Sequence, residues 1–151
     1  MERLSFDLDC SKPGLHRLAC HVGFPHRAVV AEGLQQEEFV GGGTSYSMLK
    51  TLDETYKIQQ LLGERLNPFE SFYHMTLGNA EAVSLEGRIG TLEAGTDADL
   101  VVLDASATPA MALRMEVVRS LADELFLLQT LGDDRAVRET YVAGKAMKDG
   151  L

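Results

Sequence analysis

The hydrophobic period of this 151-residue chain switches from helical to strand-like, returns to helical, and ends in strict alternation. That succession restricts the fold more than any other feature, because a 3.6-residue period and a 2-residue period cannot share one element. From Thr44 the spacing predicts a helix to about Leu62, capped by Ser45 or Ser47. Its apolar face is Leu49, Leu52 and Tyr56, with Leu61 and Leu62 at the end. Asp53 and Lys57 form an i,i+4 pair, and Gly63 ends the helix. In "LNPFESFYHMTLGN", Asn67 is an N-cap, Pro68 suits the first helical position and Glu70 completes a capping box. Phe69, Phe72, Tyr73 and Leu77 line one face, Gly78 stops the helix, and Asn79 starts a short one through Val83.

The period then changes. "GRIGTLEAGTDADLVVLDA" places glycines at 87, 90 and 95 ahead of the compact run Leu100–Leu103, the pattern of short strands joined by turns. Thr108-Pro109 opens a helical region. Ser120 caps a further helix with Leu121, Leu125, Leu128 and Leu131 as its core residues, ended by Gly132 and two aspartates. Val137, Thr140 and Val142 fit a strand, Ala143-Gly144 a turn, and Lys145–Lys148 a return strand. Residues 1–39 carry weak periodicity; Ala28–Ala31 is the strand candidate there and Leu15–Val22 the helix candidate. The expectation is an α/β chain.

Composition narrows the function classes. Fourteen basic against 23 acidic residues give a net charge of −9, which argues against nucleic acid and anionic membrane surfaces as partners. Two cysteines, Cys10 and Cys20, are too few for a disulfide scaffold. The start "MERLSFDLD" is charged, which does not support a signal peptide, and no segment reaches the ~20 apolar residues of a membrane span. A cytoplasmic location is the expectation.

Three groups of residues could carry chemistry. The triple glycine Gly41, Gly42, Gly43, followed by Thr44 and Ser45, is not a phosphate loop, because no lysine precedes the hydroxyl pair. It reads either as a tight strand-to-helix turn or as a loop at the C-terminal end of a barrel strand, where barrel enzymes place their active sites. Cys20, His21 and His26 are candidate metal ligands, but "CHVGFPH" matches no standard zinc spacing and the chain has no HxH or HExxH. His16 stands apart, and His74 reads as a helix-surface residue. The carboxylates Asp97, Asp99 and Asp104 could supply an acid/base pair, but Asp97 and Asp99 read first as turn-capping side chains.

The segment 87–105, followed by "TYVAGKAM" at 140–147, resembles the C-terminal signature of the amidohydrolase superfamily. Residues 40–80 ("VGGGTSYSML…") and 124–145 resemble the guanine deaminases within it. The resemblance covers about residues 40–147; residues 1–39 show no match to it.

The resemblance implies part of a metal-dependent (β/α)8 barrel with its companion β-sandwich. Residues 40–86 and 106–132 would be C-terminal helices of the barrel part. Residues 87–105 and 135–148 would be strands of the small β-domain, and residues 1–39 a divergent, poorly ordered segment. It implies guanine as substrate, xanthine and ammonia as products, and one zinc whose bound water is the nucleophile. A ligand aspartate of the family stands just before the glycines; here that position is Phe39. An HxH pair and two further histidines of the family have no counterpart, so this chain is expected to bind no zinc, to hold no catalytic residue, and to be inactive by itself. Gly41–Ser45 would be the remnant of an active-site loop.

The abrupt loss of likeness near residue 40 suggests a truncated or frame-altered gene product, or an expressed piece. Two alternatives follow. One is a non-catalytic, self-associating or partner-binding module exposing Leu49, Leu52, Tyr56, Phe69 and Phe72. The other is a split enzyme whose barrel another chain supplies.

Overall fold

A computed structural model describes residues 19–21, 27–31 and 45–147. Its elements in chain order are β1 (Ala19–His21), β2 (Arg27–Ala31), α1 (Met48–Leu61), α2 (Pro68–Met75) and α3 (Leu77–Ala82). There follow β3 (Leu100–Asp104), α4 (Pro109–Met115), α5 (Leu121–Leu131), a 3-10 turn (Asp134–Ala136), β4 (Val137–Val142) and β5 (Lys145–Ala146).

The described strands form one antiparallel sheet in sequence order, β1 to β5. β3 lies at its centre and alternates strictly in burial. Val101 and Leu103 turn inward and share one core with Leu49, Leu52, Phe72, Met111, Leu125 and Leu128 from the helices. Alternation on a pleated strand therefore directs one face of β3 to the helical layer. A bulge between Val102 and Leu103 shifts the register with β4.

Local chemistry explains where the helices start. Asn67 Oδ1 accepts from the Phe69 amide at 2.9 Å, and Glu70 Oε2 accepts from the Asn67 amide at 3.2 Å, with Pro68 at the first position. This is the reciprocal cap that the sequence spelled out. Ser120 Oγ accepts from the Asp123 amide, and the Asp123 carboxylate accepts from the Ser120 hydroxyl at 2.8 Å. Ser47 is the N-cap of α1 by position only, since its side chain makes no capping bond; Ser45 Oγ instead accepts from the Ser47 amide at 3.0 Å. The Asp53–Lys57 pair forms, and Gly63 takes a φ of +81° at the helix end.

Four expectations are corrected. Leu61, Leu62 and Leu131 are not core residues: they are 87%, 70% and 44% exposed, each standing at the carboxy-terminal end of its helix. Gly78 does not stop a helix but lies inside α3. The break comes at Thr76 (φ −122°, ψ −101°), whose hydroxyl donates to the Phe72 carbonyl at 2.7 Å, and α3 therefore begins at Leu77 rather than Asn79. Glycine at 78 is explained by proximity, since a Cβ there would lie 3.0 Å from the Tyr73 ring. Within 87–105, Leu100–Asp104 is a strand but 87–99 is turn structure, closed by Asp97 N donating to the Arg88 carbonyl at 2.7 Å. Finally, residues 19–21 of the expected Leu15–Val22 helix are strand β1, paired to β2; the remainder of that range lies outside the described residues.

The expected apolar docking face also does not exist as such. Leu49, Leu52 and Phe72 are buried, and Phe69 packs partly buried against the same core. Tyr56 meets Phe126 of α5 edge to face, ring centres 5.3 Å apart. α1 and α2 close onto α5 and leave no such face open.

Candidate functional site

Of the candidate active-site residues, Phe39, Gly41, Gly42, Gly43 and Thr44 lie outside the described residues, as do His16, His26 and Cys10. Ser45 is described: partly buried, its hydroxyl turned to the Ser47 amide at the entry to α1. Cys20 and His21 belong to β1. His74 is exposed near the end of α2, its ring edge-on to Tyr73, in agreement with a helix-surface role.

The three aspartates separate by function rather than converging. Asp97 Oδ2 accepts from Arg88 at 2.9 Å. Asp104 Oδ1 accepts from the Ser106 amide at 2.8 Å and turns the chain out of β3. Asp99 Oδ1 accepts from the Ala143 amide at 2.6 Å, while the neighbouring Ala98 carbonyl accepts from the Gly144 amide at 2.9 Å. Residues 98–99 thus grip the β4–β5 turn, where Ala143 and Gly144 take φ values of +48° and +74°. The capping reading holds for Asp99, whereas the Asp97 side chain pairs with the Arg88 guanidinium instead of a backbone amide, and the three carboxylates form no acid/base pair. Asp99→Ala should cost about 1 kcal/mol, the net value of one such bond, measured by urea unfolding. An unchanged midpoint would show that the turn holds without it.

The Asp133 carboxylate is shifted by local bonding. Arg135 donates to Asp133 through Nε at 3.0 Å and its terminal nitrogen at 2.6 Å, and the Arg135 amide adds a 2.9 Å bond. These donors, the guanidinium first, lower the Asp133 carboxyl to about 2 from an ordinary 3.8. A depressed folded value means that the stabilisation is complete above about pH 4 and is lost as pH falls through 2. Asp133→Asn should therefore flatten the acid limb of a stability-versus-pH curve between those values. An acid limb identical to that of the unsubstituted chain would refute this role.

Zinc is the metal that the resemblance implies. Among the described residues no three His, Cys, Asp or Glu side chains come together as metal donors. The described residues thus do not fit a zinc centre, which needs three or four converging ligands. Likewise, no helix among them is long and apolar enough to cross a membrane.

What these residues do build is a supporting layer: helices on one face of an antiparallel sheet, with a hairpin clamped by an aspartate. Comparison with known proteins agrees. The amidohydrolase family model matches residues 21–147, so the likeness reaches back through β2 into a part where the sequence offered no recognisable match. Guanine deaminase of Escherichia coli (strain K12) is 47% identical over 106 residues, covering 70% of this chain and 24% of the relative. A probable guanine deaminase of Deinococcus radiodurans is 35% identical over 126 residues, covering 80% of this chain and 29% of the relative. The solved E. coli guanine deaminase superposes with a TM-score of 0.70 at 45% identity, over 74% of this chain and 26% of that one. The chain spans about a quarter of the length of the curated relatives it matches. With both backbone and sequence in agreement over most of its length, the chain belongs to the amidohydrolase family.

Proposed function

We propose that this chain is the carboxy-terminal portion of a guanine deaminase, an enzyme that hydrolyses guanine to xanthine and ammonia. In this reading α1–α5 flank the barrel and β3–β5 belong to the companion β-domain. Gly41–Ser45 form the loop that leaves the last barrel strand, at the end of the barrel where such enzymes bind substrate. The observation that carries the reading is the joint likeness to E. coli guanine deaminase, in backbone and in 45% of matched residues.

The 151-residue chain by itself holds no donor set for the family's zinc among its described residues, and Phe39 stands where the family has a ligand aspartate. The reading therefore predicts that the purified chain, supplied with guanine and zinc, releases no ammonia and retains no stoichiometric metal.

A pair of grafts tests the positive half. Residues 40–147 replace the matching stretch of E. coli guanine deaminase, so that the host keeps its own residue ahead of Val40. This chimera should retain zinc and turnover. A graft begun one residue earlier, at Phe39, should lose more than about 100-fold in turnover, because a ligand is removed rather than one of its supports. A folded, zinc-loaded first chimera without activity would overturn the reading, as would ammonia release by the isolated chain.

A further inference from the structure

We draw no further inference here: the strongest candidate, the groove of about 180 Å3 between α1 and α2 that is lined by Thr51, Thr55, Gln59 and Met75, carries nothing because nothing in the structure shows what covers it.

Discussion

Phe72→Ala should lower the unfolding free energy by about 3–5 kcal/mol, the range for emptying a buried aromatic site. Phe72 is 1% exposed and belongs to the same core as Leu49, Leu125 and Leu128. Its loss would leave a cavity where the helices meet, and neighbours drawn from several elements cannot all move in to fill it. Against a total of about 5–15 kcal/mol for a domain, this is a large fraction. The measurement is urea unfolding followed by far-UV circular dichroism. Leu61→Ala is the matched control. It removes an equally apolar side chain from an exposed position and should stay within about 0.5 kcal/mol. The pair discriminates sharply between two views of the helices. If α1 and α2 instead offered an open apolar face, Phe72→Ala would improve solubility and leave the midpoint unmoved.

Gly90→Ala should cost about 2–5 kcal/mol. Gly90 has a φ of +86°, which costs an L-residue about 1–2 kcal/mol. Any Cβ would also lie 2.9 Å from the Ala80 Cβ and 3.0 Å from the Leu77 Cα, overpacking that costs a further ~1–3 kcal/mol. Neither neighbour can step aside, since one atom belongs to the backbone of α3 and the other is fixed directly to it. Gly95 supplies the comparison within the same segment. Its φ is +103°, yet no atom lies within 4 Å of a Cβ built there. Gly95→Ala should therefore lose only the conformational part. Equal losses at the two positions would mean that close approach to α3 plays no part at Gly90.

The contrast gives physical content to the motif that first suggested a family. "GRIGTLEAG" is a turn that must fold back against α3, and its two constrained glycines answer different demands. Such demands are only half visible in a sequence. That a glycine permits a turn is legible; that Gly90 also touches Ala80 is a fact about packing. The same division runs through the fold. The Asn67–Glu70 cap and the Ser120 cap were legible because each is decided within four residues, and the Ala143-Gly144 turn was legible from its own dipeptide, although its anchor at residues 98–99 was not. The end of α2 was not. Thr76 breaks the helix two residues ahead of the glycine that looks like its terminator, and Gly78 is there to admit the Tyr73 ring. Leu61 and Leu62 read as core because they continue the apolar spacing of α1, but spacing alone does not supply a neighbour for the last turn of a helix. β1 was read as helix for a related reason: a three-residue strand owes its conformation to the strand beside it. The candidate site was legible only as a resemblance. Its glycines and Phe39 lie outside the described residues, while the aspartates that invited a chemical reading proved to be fasteners of turns.

The order of the sheet has a consequence for synthesis. β2 hydrogen-bonds to β3, from Arg27 opposite Asp104 to Ala31 opposite Leu100. The whole of α1–α3 lies between these two strands in the chain. A ribosome adding about 5–20 residues per second would therefore leave the β3-facing edge of β2 exposed for several seconds before β3 is made. During that interval its free edge is an invitation to pair with another nascent chain. The helices that emerge in the meantime cannot protect it, because their apolar faces need Val101 and Leu103 of the same late strand. Slowed translation or an absent holdase should thus affect yield through this one strand long before it affects the finished protein.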